Sequence, residues 1–157
     1  MVACIPDNSR HQAPNKNFPQ RWGYLVHYSY IKPLERKKLL LKLPEYQVLC
    51  VTGFFLTSTG EITSDKNSLS LVAYINQSRN NFFLGRIYPL ISFTSSRQGE
   101  IFLDSPAAWQ TAARSLKLLM DSSFSAEKFP GIHLDFEFLS GSYNKKLAAF
   151  LKYLNEY

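Results

Sequence analysis

The 157-residue chain is 45% apolar and 15% aromatic, which is enough for one folded domain and excludes a disordered or low-complexity protein. The net charge is +6, and the first 50 residues carry most of the excess, with eight Lys or Arg against three acidic residues. These basic residues gather mostly on one predicted helix, which indicates a solvated helix face rather than a nucleic-acid-binding surface. No run of eighteen apolar residues is present, so the sequence predicts no transmembrane helix.

The first 20 residues contain three prolines and no periodic pattern, and they predict an irregular lead-in. The two cysteines, Cys4 and Cys50, are too few for a disulfide scaffold and do not have the spacing of a zinc site. Val2-Ala3-Cys4 is similar to the small-residue context that precedes a lipid-modified cysteine in bacterial lipoproteins. If the true start lies further upstream, Cys4 is a candidate membrane anchor; the alternative is an ordinary cysteine in a mobile tail. The location that we expect is extracellular or in the cell envelope.

From Trp22 onward, strand-like and helix-like segments alternate. Short runs rich in aromatic and β-branched residues predict strands at 24–30, 46–56, 86–94 and 132–139. Helices are predicted at 33–43, at 67–79, from Pro106 with Asp104 or Ser105 as the N-cap, and from the turn at 140–142 to the C-terminus.

Repeated βα units favour a parallel sheet, because each helix crosses over the sheet to reach the next strand. Two α/β architectures fit this order: a doubly wound open sheet, or part of a (β/α)8 barrel, which normally needs about 250 residues. The first strand is followed by Ile31-Lys32-Pro33 and not by a glycine-rich loop, which argues against a dinucleotide-binding site.

The segment from Gly131 to Glu137 carries the strongest chemical signal. Because side chains alternate along a strand, His133, Asp135 and Glu137 are predicted to share one face. Burying three ionisable groups without partners costs several kcal/mol. Such groups are tolerated at the carboxyl ends of parallel strands, where ligands bind, so this face is the candidate site.

This segment resembles the fourth strand of the family 18 glycoside hydrolases, the chitinase-like group with its spore-germination and cell-wall members. The family pattern is roughly Asp-Gly-x-Asp-x-Asp-aromatic-Glu, and this chain has Pro130-Gly131-Ile132-His133-Leu134-Asp135-Phe136-Glu137. Two of the family's aspartates are replaced, by Pro130 and by His133. The resemblance implies a TIM-barrel-type (βα) repeat of which about four of eight units are present, a half barrel.

Weaker matches extend the resemblance over residues 21–157, which would form the N-terminal (βα)4 part of the barrel behind the lead-in at 1–20. Phe54 and Phe55 end a strand that is followed by Gly60-Glu61-Ile62, and Ser92 matches the start of a family Ser-x-Gly-Gly motif whose glycines are replaced by Thr94 and Ser95.

The resemblance implies retaining hydrolysis of β-1,4-linked N-acetylglucosamine glycans of the chitin or peptidoglycan type, in which the substrate's acetamido oxygen attacks the anomeric carbon. Glu137 would be the general acid, and Asp135 would orient the acetamido group. Two neighbouring carboxylates help to keep one of them protonated near neutral pH, which suits this acid. No cofactor and no metal is implied.

His133 stands where the family has an aspartate that pairs with Asp135. A neutral imidazole can still accept a hydrogen bond, whereas a charged one would hold both carboxyl groups ionised and weaken the acid. His133 and Ser92 are the polar residues expected to bind substrate. Tyr28 and Phe54 lie toward the predicted carboxyl ends of strands, where a sugar ring can stack on them; simple core packing is the alternative.

Three further possibilities remain open, two for the candidate site and one for the half barrel. Asp135 and Glu137 would bind sugar without catalysis in a non-catalytic chitinase-like protein, or His133, Asp135 and Glu137 would hold a metal ion. An open half barrel also exposes the edges of its first and fourth strands, which predicts self-association. Because the later family strands are missing, we expect little or no hydrolase activity from the 157-residue chain alone.

Overall fold

The computed structural model describes residues 2–6, 21–78, 83–121, 129–137 and 139–157. In these ranges the strands are β1 Val2–Pro6, β2 Trp22–Leu25, β3 Val48–Leu56, β4 Ile62–Ser64, β5 Arg86–Ser92 and β6 Gly131–Asp135. The α-helices are α1 Pro33–Lys42, α2 Lys66–Gln77, α3 Ser96–Leu103, α4 Pro106–Asp121 and α5 Asn144–Glu156. Short 3-10 helices span His27–Tyr30, Leu43–Glu45 and Gly141–Tyr143.

The strands form one mixed sheet with a parallel centre. β2, β3, β5 and β6 are parallel and lie side by side in chain order, as the repeated βα units predict. β4 pairs antiparallel with β3, and β1 pairs antiparallel with β6. The α/β class and the parallel sheet are therefore confirmed.

Four expectations differ from the structure. The strand expected at 24–30 ends at Leu25 and continues as a 3-10 helix, and α3 occupies a stretch for which no helix was predicted. The lead-in expected to be irregular contains β1; residues 7–20 lie outside the described residues. Because β1 pairs with β6 over its whole length, from Val2 opposite Asp135 to Pro6 opposite Gly131, the expectation of an exposed edge on the fourth parallel strand is wrong.

The main core lies between one face of the sheet and the helices. Apolar residues alternate in the strands so that Leu49, Val51, Ile132 and Leu134 pack on this side with the buried residues of α2, α4 and α5. The opposite face carries a smaller buried cluster of Val48, Cys50, Tyr88 and Leu90. Among the described helices, none is long and apolar enough to cross a membrane.

A bulge at Gly53 changes the faces of β3. Gly53 has a φ of 91°, and the pairing with β5 advances from Val51 opposite Pro89 to Phe54 opposite Ile91, which leaves one extra residue in β3. A β-bulge of this kind reverses the alternation beyond it. Phe54 therefore turns into the main core, where it is fully buried.

Candidate functional site

A shallow depression lies where β5 and β6 end. Its lining consists of Phe93, Ser95, Ser96, Asp135, Phe136 and Leu139. The carboxyl ends of parallel strands meet at this edge of the sheet, which is where open α/β sheets bind ligands. Of the site residues predicted from the β6 segment, Asp135 is in this lining.

The two candidate carboxylates lie at the carboxyl end of β6 and just after it. Asp135 is the last residue of the strand and is half-buried, whereas Glu137 lies in the following turn and is exposed. Between them, the ring of Phe136 stacks on Phe93 with centroids 4.5 Å apart, which anchors the end of the strand in the core. Because the strand ends at Asp135, the shared face predicted for all three ionisable residues extends only from His133 to Asp135.

Asp135 has an unused hydrogen-bonding atom. Its Oδ1 is buried and has no hydrogen-bond partner among the described residues. A buried carboxylate oxygen without a donor is costly, because the oxygen has lost its water without replacement. A ligand N–H or O–H group in the depression would supply the missing donor.

His133 is buried on the opposite face of the sheet from the main core. Its ring lies 5.9 Å from Trp22 and 5.6 Å from Tyr24, both on β2. β2 and β6 are three strand spacings apart, about 14 Å on a flat sheet. These ring contacts therefore show that the sheet curves towards this face.

The environment of His133 disfavours its charged form. Both ring nitrogens are buried and without a hydrogen-bond partner among the residues described. Burial lowers the pKa of His133 below its ordinary value of 6.5, and the negative charge of Asp135 offsets part of this effect. A neutral imidazole can accept a hydrogen bond, as the aspartate at this position of the family does.

The lowered pKa of His133 predicts a loss of stability in mild acid. Because the unfolded chain binds this proton near pH 6.5 and the folded chain resists it, the contribution of His133 is complete above about pH 6.5 and is lost as the pH falls below that value. His133→Phe should remove this decrease in the free energy of unfolding below about pH 6.5. Urea unfolding of both proteins between about pH 7 and pH 5 measures it; equal slopes for the two proteins would contradict the prediction.

The other predicted substrate-binding residues do not line the depression. Ser92 ends β5 and is half-buried, and Tyr28 lies in the first 3-10 helix with 66% of its surface exposed. Phe54 was expected to stack on a sugar ring; in the structure the bulge at Gly53 buries its side chain, which contacts Phe129.

Ser95 and Ser96 line the depression and were not predicted as site residues. Ser95 caps α3, since its Oγ accepts a hydrogen bond from the backbone N–H of Gln98. The spacing Ser-x-x-Gln at 95–98 is a capping-box signature and was the available signal. The hydroxyl of Thr94 donates to Oε1 of Gln98 and adds a second polar contact at this helix start.

The proposed metal alternative has no support from side-chain grouping. Among the residues that the structure describes, no group of three or more His, Cys, Asp or Glu side chains is arranged to hold a metal ion. His133 and Asp135 are close, but Glu137 points into solvent from the turn.

Comparison with solved structures identifies similar folds. The spore cortex-lytic enzyme SleL of Bacillus megaterium QM B1551 has a TM-score of 0.70 and 20% identity, over 92% of this chain and 33% of that chain. SleL of Bacillus cereus has a TM-score of 0.64 and 13% identity, over 87% and 32%. A chitinase from Chromobacterium violaceum ATCC 12472 has a TM-score of 0.58 and 14% identity, over 86% and 41%.

The chain therefore shares its fold with parts of these three structures. The chain spans about a third of the length of the SleL enzymes. No protein-family model matches the chain, and no curated protein matches it by sequence.

Proposed function

We propose that this chain is part of a glycoside hydrolase of the family 18 type that acts on β-1,4-linked N-acetylglucosamine glycans of chitin or peptidoglycan. Its four parallel βα units would be one half of a TIM-type barrel. The observation that carries the proposal is Asp135, which lines the depression at the carboxyl end of β6 and has a buried oxygen without a donor. The fold shared with two cortex-lytic enzymes and a chitinase supports the substrate class.

The proposed chemistry assigns different tasks to the two carboxylates. Asp135 accepts a hydrogen bond from the acetamido N–H of the sugar, which orients the acetamido oxygen for attack on the anomeric carbon. Glu137, exposed in the next turn, protonates the departing glycosidic oxygen. Because His133 is neutral, Asp135 has no cationic partner on the strand. The negative charge of Asp135 therefore stabilises the positively charged intermediate that forms when the acetamido oxygen attacks the anomeric carbon.

The exposure of Glu137 favours a second candidate function, which is carbohydrate binding without hydrolysis. A general acid works best when it is partly desolvated near the bond that breaks. Glu137 does not line the depression, and the chain spans only part of the enzymes that it resembles. Under this alternative, Asp135 and the serines of α3 bind the sugar and no turnover follows.

Titration of the 157-residue chain with chitotetraose tests the proposed site. We expect saturable binding that Asp135→Asn weakens about tenfold, because the amide cannot replace a charged acceptor. Glu137→Gln should change binding by less than about twofold, and the matched control Asp104→Asn, in a surface ion pair with Lys146, should have no effect. Equal binding by wild type and Asp135→Asn would contradict the site.

Hydrolysis separates the two candidate functions. In a form extended to the length of the SleL enzymes, Glu137→Gln should abolish cleavage of a chromogenic chitobioside and leave binding intact. Binding without turnover from about pH 4 to pH 8 would favour the non-catalytic function. Clear turnover by the 157-residue chain would contradict the expected inactivity of this part alone.

We also propose an extracellular or cell-envelope location, because such glycans occur there.

A further inference from the structure

Two leucines are exposed in a line on α1. Leu34 is 63% exposed and Leu41 is 76% exposed. Single exposed leucines are common on protein surfaces and need no explanation. These two are seven residues apart, which places them about 10 Å apart along the helix and within roughly 20° of the same direction. They therefore form one apolar row.

This row faces away from the body of the protein. Leu39 in α1 and Leu43 just after it are buried in the main core. At about 100° per residue, Leu34 and Leu41 lie roughly opposite these core residues on the helix circumference. A helix that packed beside α1 on the sheet would contact its flanks, so only a partner that approaches from outside reaches the row.

Lysines surround the two leucines. Lys37 and Lys38 lie between them along the helix, one on each side of the row, and Lys42 follows Leu41; all three are exposed. Residues 32–42 contain five basic residues and one acidic residue. The acidic residue, Glu35, forms an exposed ion pair with Lys38. Five basic residues against this one acidic residue give the segment a net positive charge.

We propose that this leucine–lysine face (Leu34, Lys37, Lys38, Leu41 and Lys42) binds the surface of an anionic lipid bilayer. The leucines enter the boundary between headgroups and acyl chains, while the lysine stems follow them and the ammonium groups contact lipid phosphates. A soluble polyanion would match the lysines but leave the leucines in water, so the outward apolar row favours a bilayer. The proposal is independent of the glycan site and holds whichever function that site has.

Flotation of the 157-residue chain with lipid vesicles tests this face. We expect binding to vesicles of phosphatidylglycerol and phosphatidylcholine, little binding to phosphatidylcholine alone, and weakening by salt, because screening reduces the lysine contribution. The double variant Leu34→Ser/Leu41→Ser should bind at least about tenfold less tightly, since two apolar side chains are lost from the lipid contact. Lys37→Gln/Lys42→Gln should reduce both the affinity and its salt dependence.

The matched control is Leu118→Ser, which removes another leucine that is 69% exposed, on α4. This variant should bind vesicles like the wild type, and circular dichroism should show that all variants remain folded. The proposal is overturned if the wild type does not bind anionic vesicles, or if the double leucine variant binds them equally well. It is also overturned if Leu118→Ser weakens binding as much, or if the leucine changes act only by dissociating a dimer of the chain.

Discussion

Gly60→Ala is expected to destabilise the protein by about 3–5 kcal/mol. Gly60 lies in the turn between β3 and β4 with a φ of 89°, a conformation that residues with a side chain rarely adopt. A Cβ at this position would stand 2.1 Å from the carbonyl oxygen of Ala108 and 2.8 Å from the backbone N of Ala112. Both contacts are with the backbone of α4, so the helix itself must move.

Urea unfolding followed by circular dichroism measures this loss, with Gly141→Ala as the matched control. At Gly141 the nearest atom to a new Cβ is Nδ2 of Asn144 at 3.9 Å, which is ordinary van der Waals contact. The control should change the free energy of unfolding by less than about 0.5 kcal/mol. If the two variants were equally stable, the close packing of the turn on α4 would be refuted.

Phe150→Ala should lower the free energy of unfolding by a similar amount, about 3–5 kcal/mol, because the substitution leaves a cavity in the main core. The Phe150 side chain on α5 is fully buried. Its ring meets Phe102 of α3 edge to face at 4.8 Å and lies 5.8 Å from Trp109 of α4. One side chain therefore joins three helices, and its loss weakens the contacts of α5 with both neighbours.

Thermal unfolding of Phe150→Ala and of Leu84→Ala provides the measurement. Leu84 is 92% exposed, so its truncation removes apolar atoms that are already in water and should leave the midpoint nearly unchanged. A midpoint for Phe150→Ala equal to that of the wild type would mean that α5 does not depend on this contact.

Much of the fold was predictable because its signals are local. Pro33 in the first turn of α1 and Ser105 before α4 mark two helix starts that the structure has at those places, with the Ser105 hydroxyl accepting from the N–H of Ala108. The alternation of Ile132, Leu134 and Phe136 into the main core was likewise readable from the sequence. Periodicity and capping act over a few residues, so a single sequence reveals them.

The remaining features depend on contacts between distant residues. Strict alternation predicts that Phe54 continues the face of Cys50, and only the pairing with β5 reveals the extra residue at Gly53 that reverses it. The neutral state of His133 depends on Trp22 and Tyr24, which are more than 100 residues away in the chain. That Asp135 shares a strand face with His133 was predictable, but its buried oxygen follows from the packing around it.

The antiparallel pairing of β1 has a practical consequence for experiments. Val2, the first residue of β1, lies opposite Asp135, so this end of β1 is beside the strand end that lines the depression. A purification tag or reporter fused before Val2 would therefore be attached close to the proposed sugar site and is expected to weaken the binding of added oligosaccharide. A fusion at Tyr157 instead attaches the added segment after the end of α5. We therefore expect a weaker apparent affinity for oligosaccharide with the N-terminal fusion than with the C-terminal one.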